Sequence, residues 1–367
     1  MAERPVTPLL PRSRSLRRRV AHILLAIGSS ALVILTIVGA EGLARWYAPD
    51  YLVRKRGLHV FSSTYGWAGR PGAVAPMGGG RVTLDGRGYR GRELPLPKAG
   101  DRTRVVVLGD SIAFGYGVSD EQAFPHLLTV RDNGIEAGNL GVEGYGPGQE
   151  LLVLLREGLR EDPDVVVLAF CLRNDFIDAV LPVALYDGTT PRPRYRLVEG
   201  KLMLDDTAVR RSGAGRALQW LSDHTHLFNR LSALGPLREG PEDVGWRYRK
   251  QEVLRDEEYA FQLTLALVME MENVCRRHGI VFLVATFPNG LGYAMKLDLA
   301  DRFHESLKAE GVWVVDVGAR FLALGLTPQE VAIDRTGHLG PRGHAVTCEI
   351  LEREIASGFD DGVRRHR

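Results

Sequence analysis

Short strand-like segments, each closed by a small or polar turn, restrict this chain's fold more than any other feature of its sequence. Residues 105–108 (VVVL) are the clearest, ending in Gly109-Asp110-Ser111 and a glycine-rich turn through Gly117. Such a run suits a strand buried on both faces of a parallel sheet. Residues 135–140 form a second segment, leading into Asn139-Leu140-Gly141-Val142-Glu143-Gly144-Tyr145-Gly146-Pro147. Residues 164–170 (DVVVLAF) form a third, ending in Cys171-Leu172-Arg173-Asn174-Asp175. Residues 280–286 and 312–316 add two more. Helical spacing of apolar residues marks 121–130, 149–159, 259–278, 299–309 and 345–355. This alternation predicts an α/β chain, a three-layer sandwich with a central parallel sheet. It puts Ser111, Gly144 and Asn174 at one sheet edge, where open α/β sheets place their ligands. On its own, Gly-Asp-Ser equally suits a helix cap.

Residues 1–19 carry six arginines and one acid, and 20–40 then run 21 residues without a formal charge, apart from His22 if protonated. As a helix, that length spans a hydrocarbon core of roughly 30 Å. An arginine cluster before such a helix stays in the cytoplasm. The expected organisation is therefore a basic cytoplasmic tail (1–19), a single-pass transmembrane helix (20–40), a juxtamembrane or flanking segment (41–102) and an extracytoplasmic, periplasmic α/β domain (103–367). Val38-Gly39-Ala40 also fits a signal-peptide cleavage site, though the apolar stretch exceeds the usual h-region of about 7–15 residues.

The rest of the chain mainly excludes alternatives. A net charge of +2 over 367 residues gives no basic field for nucleic acid. Cys171, Cys275 and Cys348 form neither a metal-type spacing nor a disulfide framework. Gly78-Gly79-Gly80 lacks a following Gly-Lys-Ser/Thr and reads as a solvated loop rather than a phosphate loop. Gly115-Tyr116-Gly117 likewise lacks the acidic partner of a dinucleotide site. Tyr65-Gly66-Trp67 and residues 81–84 could each begin a strand, with Asp85-Gly86 as a turn. Residues 178–258 read as an insertion near the site, with a hairpin at 194–204, one amphipathic helix at 217–234 and a polar stretch at 235–256. His224 and His226, two apart on that helix, point in different directions and do not suit a metal.

A serine past the first strand, then Asp334 and His338 in a polar loop before the last helix, complete a pattern. With Gly109-Asp110-Ser111, Asn139…Gly144, Asn174-Asp175 and Asp334…His338 in that order, residues 103–177 and 259–357 resemble the SGNH (GDSL-type) hydrolase superfamily. The N-terminal helix, the Tyr-Gly-Trp stretch and the hairpin insertion resemble a membrane-anchored bacterial branch of it. Here the first block reads GDSI, Leu172 stands where a glycine is usual, and three residues rather than two separate acid from histidine. His344 is the competing histidine, at a position that opens the last helix.

The resemblance implies a flavodoxin-like SGNH hydrolase fold and a serine esterase without metal or cofactor. It implies Ser111 as nucleophile, His338 as base and Asp334 as its orienting acid. Oxyanion donors would be the N–H groups of Ser111 and Gly144 and the Asn174 amide. The substrate class would be O-acyl, for instance acetyl, esters on a small molecule or glycan. A glycan O-acyltransferase with the same triad, and a non-catalytic glycan-binding or assembly protein, are the alternatives.

Overall fold

The computed structural model describes residues 13–47, 57–98, 100–131, 134–185, 190–210, 213–232, 256–288, 297–334 and 336–360. Within these, the five expected strands form one parallel sheet. After helix α1 (Ser13–Tyr47), the chain makes β1 (His59–Ser62), β2 (Gly66–Gly69), β3 (Val74–Met77) and β4 (Gly80–Thr83). There follow β5 (Thr103–Gly109), α2 (Ser111–Phe114), α3 (Phe124–Val130), β6 (Ile135–Asn139), α4 (Pro147–Arg156), β7 (Val165–Cys171) and α5 (Asp175–Val180). The hairpin β8 (Arg194–Val198) and β9 (Lys201–Asp205) and helices α6 (Gly213–His224) and α7 (His226–Ser232) come next. The chain ends with α8 (Glu257–Arg277), β10 (Val281–Phe287), α9 (Leu297–Ala309), β11 (Trp313–Asp316), α10 (Val317–Ala323), α11 (Pro328–Val331) and α12 (Pro341–Asp360).

The sheet order is β11-β10-β7-β5-β6, the flavodoxin-like order that the resemblance implies. Gly109 pairs with Ala169, and Val107 with both Val167 and Asn139, so the ends of β5, β6 and β7 lie close together. Successive side chains alternate between two buried faces. Val106, Leu108, Val166, Leu168 and Phe170 join the α4, α5, α8 and α9 side. Val105, Val107, Val167, Ala169 and Leu283 join the α3, α10 and α12 side. Burial on both faces is why these strands read as unbroken apolar runs.

Two compact units are distinguished, one of residues 1–55 with 220–238 and one comprising the remainder. In the first, α1 extends beyond the expected 20–40 as one 35-residue helix. Within 18–47 an 18-residue window reaches a mean hydropathy of 2.4, and the helix is long and apolar enough to cross a membrane. The Ser29 and Thr36 hydroxyls donate to Leu25 and Leu32 carbonyls at 2.7 and 2.8 Å, so these polar groups are satisfied within the helix. The tail residues 1–12 lie outside the described residues. The single helix expected at 217–234 is instead two, α6 and α7. Glu41 of α1 accepts from the His226 and Leu227 backbone N–H groups at 2.9 and 2.8 Å, capping α7 and explaining the break. The polar stretch at 235–256 lies outside the described residues except for Asp256.

In the second unit, the segment before β5 is more ordered than its composition suggests. β1 pairs with β2 and β3 with β4, both antiparallel. The expected turn after residue 84 is present: Asp85 Oδ1 accepts from the Arg87 and Tyr89 N–H groups, both at 2.8 Å. Gly78 and Gly79 are exposed at the β3–β4 turn, but Gly80 is buried, contrary to the expected solvated loop. A Cβ on Gly80 would lie 2.1 Å from the backbone of Val118, just beyond the Ser111 turn. Only glycine permits that approach.

Candidate active site

Ser111 follows β5 directly. Asp110, not Ser111, caps α2, its Oδ1 accepting from Ile112 N–H at 2.8 Å. The capping alternative for the serine therefore does not hold, and its hydroxyl is engaged elsewhere. Ser111 Oγ lies 3.0 Å from His338 Nε2. His338 Nδ1 lies 2.7 Å from Asp334 Oδ2. The loop accommodates its extra residue by folding tightly. Asp334 Oδ1 accepts from Thr336 N–H at 2.9 Å, Thr336 Oγ–H at 2.6 Å and His338 N–H at 3.2 Å. Gly337 takes φ +91°, a left-handed conformation that favours glycine. Burial alone would raise the Asp334 pKa. Hydrogen bonds from Thr336 and His338, with the imidazole charge, outweigh it and bring it to about 2. Asp334 is thus ionised at neutral pH.

His344 does not join this set. It is buried in α12, where its Nδ1 accepts from Phe124 N–H at 3.2 Å. Burial, then the nearby Arg90 charge, lowers its pKa to about 3, so it stays neutral.

On the other side of Ser111, the N–H groups of Ser111 and Gly144 donate to no other protein group among the described residues. Asn174 stands at the end of β7, as expected. Its Nδ2 is 2.9 Å from Asp110 Oδ2, 3.2 Å from Asp175 Oδ1 and 2.8 Å from Asp178 Oδ2. Its Oδ1 is buried without a partner. An amide nitrogen has two hydrogens, so three carboxyl oxygens compete for them. Burial, then mutual repulsion among Glu150, Asp110, Asp175 and Asp178, raises the pKa of Asp175 and Glu150 well above the carboxylate range. The upward shift favours their protonated forms, which relieves the crowding.

Four contributors were given no role by the sequence patterns. Tyr116 packs against His338, with ring centroids 4.5 Å apart and the planes tilted by 39°. Burial and then the charges of Glu143 and Asp334 raise its pKa. Removal from water, then Asp110, pushes Glu143 to about 7, beside Gly144. Arg90 is buried and donates to the carbonyls of Phe114, Gly115 and Val118 at 2.8, 2.5 and 2.7 Å, clamping the turn after the serine. Arg192, from the insertion, is buried against Asp178. The aromatic between two glycines at 115–117 was the one usable clue.

Chemically, a hydroxyl in contact with an imidazole, itself held by an ionised carboxylate, can be activated for attack on an electrophilic carbon.

No family model matches the chain, and no curated protein matches it. Among solved structures, the chain is similar to a GDSL-like lipase from Bacteroides thetaiotaomicron, with 11% identity, 70% of this chain and 89% of that one covered, and a TM-score of 0.38. It is also similar to a member of the lipolytic protein G-D-S-L family from Veillonella parvula, at 11% identity, 68% and 95% covered, TM-score 0.37. A third is Axe2, an acetylxylan esterase from Geobacillus stearothermophilus, at 13% identity, 70% and 95% covered, TM-score 0.39.

Proposed function

We propose that this protein is a membrane-anchored, extracytoplasmic serine esterase that hydrolyses O-acyl esters, with acetyl esters on a glycan or small molecule as the favoured class. One observation carries the reading: the contact chain Ser111 Oγ–His338 Nε2 at 3.0 Å and His338 Nδ1–Asp334 Oδ2 at 2.7 Å, at the C-terminal edge of the parallel sheet. In this mechanism, His338 takes the Ser111 proton as the hydroxyl attacks the acyl carbon. Asp334 holds the Nδ1–H tautomer and stabilises the imidazolium. The oxyanion is met by the Ser111 and Gly144 N–H groups and by the Asn174 amide, one of whose hydrogens leaves the carboxyl cluster. His338 then returns the proton to the leaving alkoxide, and water repeats the cycle on the acyl-enzyme. The apolar α1 supports anchoring, and the arginines before it favour a cytoplasmic N-terminus.

The test is hydrolysis of p-nitrophenyl acetate by the full chain in detergent, beside Ser111→Ala. Acetate release that falls to the uncatalysed background in the variant is the expected result. Equal rates in both proteins would overturn the assignment. Transfer of acetyl to an added glycan in place of acetate release would make the protein an acyltransferase.

A further inference from the structure

One guanidinium touches the supports of two separate oxyanion donors. Arg192 lies outside every segment that resembles the hydrolase pattern, between α5 and β8. Its side chain is 2% exposed. Nη2 is 2.8 Å from Asp178 Oδ1 and 3.2 Å from the Gly144 carbonyl. Nη1 is 3.0 Å from the Asp178 carbonyl. The other oxygen of Asp178 accepts from Asn174 Nδ2 at 2.8 Å. Thus one rigid fork fixes the Gly144 turn from the carbonyl side and, through Asp178, the Asn174 amide.

The fork is itself held. Its Cζ stands 5.3 Å from the Trp67 ring centroid. Trp67 Nε1–H donates to the Glu143 carbonyl at 3.0 Å, and Tyr145 O–H donates to the Trp67 carbonyl at 2.6 Å. The Arg192 N–H donates to the Pro182 carbonyl at 3.0 Å. The titratable side chains that feel its charge include Asp178 and Glu150. The carboxylate in direct contact with the guanidinium is that of Asp178. Burying an arginine is costly unless it is paired and hydrogen-bonded. A surface ion pair would have secured the insertion loop without that cost. Burial at this point instead ties the Gly144 turn after β6 and helix α5 after β7 to one planar group.

We propose that Arg192 is a positioning residue that sets the separation of the Gly144 turn and the Asn174 amide, and so shapes the oxyanion hole from the insertion. This rests on the esterase reading for its consequence, but not for the contacts themselves. Losing the fork would misplace both donors without removing a group that touches substrate. A shift of about 1 Å in such a donor costs about 10²-fold in rate.

The experiment compares the wild-type full chain in detergent with Arg192→Met and Arg192→Lys. Hydrogen–deuterium exchange is read on the peptides spanning 142–148 and 171–178, and kcat and KM on p-nitrophenyl acetate. For Arg192→Met the expected result is faster exchange in both peptides and kcat lower by about 10²-fold, with KM within about twofold. Arg192→Lys keeps a charge for Asp178 but not the planar fork, so it should recover part of kcat. It decides the question on the same readouts if the methionine variant does not fold. Unchanged exchange in both peptides, unchanged kcat, or an effect confined to KM would overturn the proposal. A wild-type protein without esterase activity would overturn the esterase reading alone, and the exchange data would still decide the Arg192 link.

Discussion

A serine hydroxyl is a poor nucleophile until a base takes its proton, and contact with an imidazole is not sufficient for that role. The molecule contains a second such contact. Thr286 Oγ1 lies 2.8 Å from His304 Nε2, and His304 Nδ1 lies 3.8 Å from Asp316. Thr286 is fully buried, so no ester can reach it, and the carboxylate stands beyond hydrogen-bond range. Ser111 is half-buried and its histidine is held at 2.7 Å. Accessibility and the tight carboxylate separate the two sets. At the same scale, Asn174 has to give up one carboxyl partner to meet an oxyanion. Asn174→Ala should lower kcat by about 10²–10³-fold while the folded state persists, since one oxyanion donor is worth about that much. Unchanged turnover, measured by steady-state ester hydrolysis beside a circular-dichroism melt, would remove Asn174 from the oxyanion role. The candidates Ser111, Asn174, Asp334 and His338 can be singled out in the sequence, because each sits in a short local pattern. Arg90 and Arg192 cannot, since a buried arginine is chosen by partners far away in the chain.

Among the elements, the buried strands were read closely, and the segment ahead of them poorly. Strands 105–108 and 164–170 announce themselves because both faces are covered, which leaves unbroken apolar runs. The hairpins β1–β2 and β3–β4 are four-residue strands with few apolar side chains, and their pairing partners supply no periodicity. The Gly78-Gly79-Gly80 run reads as a solvated loop, yet its last residue seats the hairpin against the turn that carries Ser111. Gly80→Ala should therefore destabilise the fold by about 1–3 kcal/mol, the usual cost of overpacking a site that cannot yield. Because the displaced atoms belong to the Val118 backbone, ester hydrolysis should fall as well. A thermal melt and activity assay together check this, and an alanine variant with both values unchanged would mean that β4 does not support the site. The α6–α7 break was illegible for a similar reason: Glu41, which caps α7, lies 185 residues away from His226.

At the level of the whole molecule, the chain joins two physical classes of structure. One unit is built on an apolar helix that satisfies its own backbone and polar side chains, which is what a bilayer demands. The other buries its apolar residues on both sides of a sheet, which is what water demands. Composition averaged over 367 residues conceals this, and reading by segment reveals it. The candidate site residues all belong to the α/β unit, at the edge where β5 and β7 end and the strand order reverses. The central claim is that Ser111 is an activated nucleophile. The most direct measurement treats the full chain in detergent with a fluorophosphonate, beside Ser111→Ala, and maps the adduct by peptide mass spectrometry. The account predicts one adduct, on the peptide carrying Ser111, and none in the variant. A folded protein that takes no label, or one labelled equally without Ser111, would contradict it.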